Sequence, residues 1–117
     1  MKGLELSTAI AKILDTKKAR EVKVLKIQDL TIVTDYIVIA TGTSTTQVKA
    51  LADEVDFQLE KQFGLQPTRV EGYESKNWIL MDYDTVIVHV FHPEARNYYN
   101  LDKLWADGEE ITINFEE

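Results

Sequence analysis

Apolar residues recur at helical spacing near the start of the chain, at Leu6, Ile10, Ile13 and Leu14 with Ala9 between them. That stripe predicts an amphipathic helix over residues 5–19. Residues 22–27 alternate more loosely through Val22, Val24 and Ile27, which predicts a partly exposed strand. Residues 35–41 form an almost unbroken apolar run, Tyr36-Ile37-Val38-Ile39-Ala40, as expected of a central strand buried on both faces. Ser44 followed by Gln47 has the spacing of a capping box. The helix it opens continues through Val48, Leu51, Ala52, Val55 and Leu59, and Gly64 supplies a natural stop. Pro67 precedes a short extended piece, Arg69-Val70-Glu71, which fits a sheet edge because proline cannot donate a ladder hydrogen bond.

Residues 78–91 predict a hairpin. With Tyr83–Asp84 as a two-residue turn and Asp82 opposite Thr85, the side chains sort cleanly between two faces. One face carries Ile79, Met81, Val86, Val88 and Val90, all suited to burial under helices. The other carries Trp78, Leu80, Asp82, Thr85, Ile87, His89 and Phe91, a mixture of apolar bulk, indole, imidazole and carboxylate. Pro93 suits the first turn of a short helix. Residues 109–117 alternate through Ile111, Ile113 and Phe115 and end acidic, as a strand or a loose tail. Helix, strand, strand, helix, strand, hairpin and helices in this order predict an α/β sandwich with a mixed sheet.

The same segment carries a family likeness. Trp78-Ile79-Leu80-Met81-Asp82-Tyr83, Val86-Ile87-Val88-His89-Val90-Phe91, Pro93-Glu94-Ala95-Arg96 and Tyr98-Tyr99-Asn100-Leu101-Asp102-Lys103-Leu104-Trp105 follow one another in order. A second block runs Asp35-Tyr36-Ile37-Val38-Ile39-Ala40-Thr41-Gly42, then Ser44, Gln47-Val48-Lys49-Ala50, Ala52-Asp53 and Glu71-Gly72. Together they resemble the ribosomal silencing factor family, also called the Iojap family, over nearly the whole chain. Asp84-Thr85 stand where that family usually has Gly-Asp. The resemblance implies a fold like that of the nucleotidyltransferases, without their catalytic motifs.

Length bounds the chain to one domain over residues 1–117. There is no cysteine, so disulfides, thiolate zinc sites and thiol nucleophiles are all excluded. The first residues lack the apolar core of a signal peptide, and no run approaches the roughly 18 apolar residues of a membrane span. These features point to a cytoplasmic protein. The net charge of −7 disfavours nucleic acid as the main target, because the 13 basic residues are scattered. An acidic chain is drawn instead to basic proteins.

Two constellations invite chemistry. Asp82 and Asp84 form a D-x-D that could hold Mg²⁺ in a nucleotidyltransferase, the alternative reading of this chain. A Gly-Ser element precedes such a pair in those enzymes, whereas Gly42-Thr43-Ser44 lies far upstream beside another strand. A solvated turn rich in Asp accounts for the pair more simply. His89, His92 and Glu94 fall short of a zinc site, since no fourth ligand completes them. A hydrogen-bonding histidine on a binding face is the better reading. The sequence therefore implies no enzyme activity, no metal and no cofactor.

Tyr98, Tyr99 and Trp105 serve either packing or an interface. Arg96 can pair with Asp82, with Glu94 or with a partner's carboxylate. What the resemblance implies is a translational repressor. It would bind a large-subunit ribosomal protein (number fourteen) on the intersubunit face and block subunit joining, with a further role in ribosome maturation; relatives are often homodimers. The partner-binding residues expected on the mixed face are Trp78, Leu80, Asp82, Tyr83, His89, Arg96 and Tyr99.

Overall fold

The computed structural model describes residues 2–115. Helix α1 (Gly3–Thr16) begins two residues earlier than the apolar stripe suggests, with the Glu5 carboxylate accepting the Lys2 backbone N–H at 3.4 Å. It ends before Lys18, whose φ of +66° turns the chain away. Strand β1 (Arg20–Lys26) follows, with a register shift between Arg20 and Lys23. Strand β2 (Tyr36–Thr41) is buried at every position. It lies between β1, antiparallel, and β5 (Val86–Phe91), parallel, which is why its apolar run is continuous.

Helix α2 (Thr45–Phe63) is capped by Ser44, whose Oγ accepts the Gln47 N–H at 3.1 Å. The reciprocal half of the box differs from expectation. The Gln47 side chain accepts from the Thr43 N–H and hydroxyl, at 2.6 and 2.8 Å, one residue before the cap. Gly64 closes the helix in the left-handed region at φ +66°, donating to Glu60 O, while Leu65 donates to Leu59 O. Strands β3 (Arg69–Glu71) and β4 (Trp78–Asp82) complete one side of the sheet. Short helices α3 (Pro93–Tyr99) and α4 (Leu101–Leu104) lead to β6 (Glu109–Ile111). The strand order is β3-β4-β5-β2-β1-β6, with β2 and β5 the parallel pair. This is the expected mixed-sheet α/β sandwich. Residues 116 and 117 of the acidic end lie outside the described residues, while Ile113 and Phe115 pack on the helix-side core.

The hairpin register differs from the sequence expectation by two residues. Asp82 faces Ile87, and Tyr83 N–H donates to Val86 O at 2.9 Å, so the turn is Asp84–Thr85. Thr85 N–H donates to Tyr83 O at 3.0 Å around Asp84, whose φ is +76°, as in a γ-turn. Asp82 Oδ1 accepts the Asp84 N–H at 2.8 Å and fixes the bend, which an aspartate enters more readily than most non-glycine residues. A shift of two preserves which face each side chain occupies, so the sorting survives.

That sorting divides the molecule. Ile79, Met81, Val86, Val88 and Val90 join Leu6, Ile10 and Leu14 of α1 and Val48, Leu51 and Val55 of α2 in one core. Leu25, Ile37, Ile39, Ile87 and Phe91 lie on the opposite face, where α3 and α4 contribute Leu101, Ala95 and the flanking Trp105. Two long helices cover the first face. Two short ones cover only part of the second.

Candidate protein-docking face

The partly covered face holds an apolar groove of about 320 Å³. Ile37, Leu80 and Ile87 contribute strand positions to it, Ile27 follows the end of β1, and Leu101, Leu104 and Trp105 come from α4 and the residue after it. Trp78 and His89 line it side by side.

The Trp78 ring is held by three neighbours. Its ring stacks on Phe91 at 5.0 Å and packs against Tyr99 at 4.5 Å between centroids. Its Nε1–H donates to His89 Nδ1 at 3.0 Å. Gly72, at φ +84°, brings its backbone so close to the Trp78 carbonyl that a Cβ there would collide with it. The half-buried indole is thus fixed before any partner arrives.

His89 is buried, and burial pulls its pKa down to about 4. The Trp78 bond acts in the same direction, because only a neutral imidazole has a free Nδ1 lone pair. The proton of the neutral ring therefore resides on Nε2.

Arg96 does not reach the groove as a reader. It is mostly buried, and Asp102 takes its fork at 3.2 and 2.9 Å. The same guanidinium donates to Glu21 O at 2.6 Å and to Thr41 Oγ1 at 2.9 Å. Neither Asp82 nor Glu94, the intrachain partners that sequence reasoning considered, receives it: the α3–α4 turn brings Asp102 back toward Arg96. Burial opposes the charge on Asp102, but Arg96, and then Lys23 at 3.2 Å, outweigh it and hold the carboxyl below its usual range. Arg96 thus fastens α3 and α4 to the ends of β1 and β2. Arg96→Ala is expected to lower folding stability by about 2 kcal/mol, because it also strips a part-buried carboxylate of its main partner. Urea unfolding at neutral pH reads this directly; an unchanged midpoint would mean the fork carries no net stability.

Tyr83 is a clear correction. Its position in the hairpin turns the ring onto the α1–α2 side, 7% exposed and inside that core, away from the groove. Among the described residues its hydroxyl is buried without a hydrogen-bond partner. Burial, and then the nearby Asp56 carboxylate, raise its pKa. Asp82 sits at the end of β4, with one oxygen on the Asp84 N–H and the other 3.7 Å from Arg69. His92 caps α3 by accepting the Glu94 N–H at 3.4 Å. The structure thus brings Trp78, Leu80, His89 and Tyr99 together, holds Asp82 beside Arg69 at the end of β4, ties Arg96 of α3 to Asp102, and turns Tyr83 into the helix-side core.

Sequence reasoning passed over the groove's other wall. Thr31 and Val33 line it from the β1–β2 connection, and Arg69 from β3. The signal was present as Leu30-Thr31-Ile32-Val33, an apolar run inside a loop. No helix among the described residues is long and apolar enough to cross a membrane.

The family model described as "Ribosomal silencing factor during starvation" matches residues 2–117. The protein named "Ribosomal silencing factor RsfS" in Halalkalibacterium halodurans is 38% identical over 113 residues, covering 97% of this chain and 96% of that protein. The protein of the same name in Bacillus subtilis is 39% identical over 101 residues, covering 86% and 85%. Chloroplastic protein Iojap of Arabidopsis thaliana is 30% identical over 117 residues, and the match spans 98% of this chain but 48% of that longer protein. A crystal structure of a protein from Chromobacterium violaceum superposes with a TM-score of 0.86 at 35% identity, covering 97% of this chain and 92% of that one.

Proposed function

The chain belongs to the ribosomal silencing factor family, and from that premise we propose that it docks on a large-subunit ribosomal protein through the open sheet face. The partner proposed is large-subunit ribosomal protein number fourteen, on the surface that meets the small subunit. Occupancy of that surface blocks subunit joining and represses translation in the cytoplasm. The action is steric and needs no catalysis. The observation that carries this reading is the groove itself: an apolar, partly covered sheet face with an aromatic anchor already locked in place by His89 and Phe91.

Two further features support it. Interfaces concentrate binding in buried aromatic anchors ringed by polar residues, and Trp78 with Tyr99 fits that pattern. The net charge of −7 favours a basic protein over bare RNA. The Asp82–Asp84 pair is engaged in its own turn and with Arg69, which speaks for a structural role over a metal-holding one.

Cosedimentation with isolated ribosomal subunits tests the reading. Selective association with the large subunit is the expected outcome. Association with the small subunit alone, or with neither, would overturn it.

A further inference from the structure

We propose that the β1–β2 loop, residues 28–34, is a second contact arm that clasps the basic ribosomal-protein partner against the groove. The inference rests on the docking reading above and adds a surface to it. Three large aliphatic side chains, Leu30, Ile32 and Val33, fall within this one short loop. Ile32 is fully exposed, Val33 is 68% exposed and Leu30 is 46% exposed. Scattered apolar residues at a surface need no explanation, but a contiguous cluster beside an apolar groove marks an interaction surface. Val33 and Thr31 line the groove, so the loop and the Trp78 wall bound one continuous face.

The loop is built to hold this position. Ile27 N–H donates to Asp35 O at 2.8 Å and closes its base, and Leu30 N–H donates back to Ile27 O at 2.8 Å. Thr34, buried, donates its hydroxyl to Asp84 O at 3.1 Å, and Asp35 N–H donates to Thr85 O at 3.2 Å. The base is thereby tied to the β4–β5 turn, while Val33 N–H donates to Thr31 Oγ1 at 3.2 Å within the tip. An anchored base with an unburied apolar tip presents those side chains outward at little further ordering cost.

Charge selects the occupant. The segment Gln28-Asp29-Leu30-Thr31-Ile32-Val33-Thr34-Asp35 has an aspartate near each end and no lysine or arginine. A loop that inserts into an anionic lipid surface carries basic residues around its apolar tip, and this one carries the opposite sign. A second copy would bring the same aspartates face to face. A protein surface with apolar side chains flanked by Lys or Arg satisfies both the tip and its borders.

The test is titration of the full chain, fluorescently labelled, against purified large ribosomal subunits. Wild type is compared with the double variant Ile32→Ser, Val33→Ser and with Trp78→Ala. The serine pair removes the two most exposed apolar side chains of the tip without adding charge. Expected is a fall in affinity of about tenfold or more for the serine pair, in a protein whose thermal midpoint stays near that of the wild type, because the tip buries little. Wild-type affinity in the serine pair, with binding weakened by Trp78→Ala, would overturn the arm and leave the groove reading in place. Absence of binding by the wild type would overturn both.

Discussion

Trp78→Ala is expected to lower affinity for isolated large ribosomal subunits about 30-fold, the equivalent of about 2 kcal/mol. The indole is immobilised before binding by Phe91, Tyr99 and the His89 hydrogen bond, so little rotamer freedom is lost when a partner covers it. Truncation removes the anchor and undoes its surroundings: Tyr99 loses its packing partner and His89 Nδ1 its donor. Trp78→Phe separates these effects. It keeps an aromatic ring over Phe91 but loses the Nε1–H and part of the indole's area, so it should bind more weakly than wild type and more tightly than the alanine variant. Titration at a temperature where both variants are folded by near-ultraviolet circular dichroism gives the comparison. A folded alanine variant with wild-type affinity would remove the indole from the interface.

Acidification should destabilise the fold through His89 before it affects the Arg96–Asp102 pair. Buried His89 has its pKa lowered from 6.5 to about 4, so between those pH values the unfolded chain takes up a proton that the folded chain resists. The stabilising contribution is therefore complete above about pH 6.5 and is lost progressively as pH falls toward 4, amounting to about 3 kcal/mol. Protonation also forces the Trp78 bond to break, because imidazolium has no acceptor. His89→Phe should flatten the stability profile over that window, whatever it does to stability at neutral pH. Asp102 acts in a lower window. Its carboxyl is held below the usual range, so its contribution persists until the pH falls below about 4. Urea midpoints of wild type and His89→Phe from pH 8 to pH 4 provide the readout; parallel profiles would mean His89 is not the titrating group.

Periodicity carried most of the architecture. The β2 run and the α2 stripe are long and strongly patterned, and both appear as read. The hairpin faces were legible for a further reason: strand parity is blind to a two-residue slip, so the assignment of Trp78, Leu80 and His89 to one face survived a wrong turn. Tyr83 was lost for the same reason. Placed in the turn, it carried no face; placed in the strand register, it joins the helix-side core. The Arg96–Asp102 fork was not legible, because it depends on how tightly the chain reverses at Asn100, whose φ is +50°. The β1–β2 loop was passed over because an apolar run between strands carries no periodicity to interpret. Its meaning comes only from exposure and from the groove beside it.

Steric occupation of the joining surface can be followed by light scattering as the subunits associate. Purified large and small subunits are mixed in the presence of increasing protein. The amplitude of joining is expected to fall as the large subunit fills, with Trp78→Ala shifting the curve to about 30-fold higher concentration. Undiminished joining at concentrations that saturate the large subunit would contradict it.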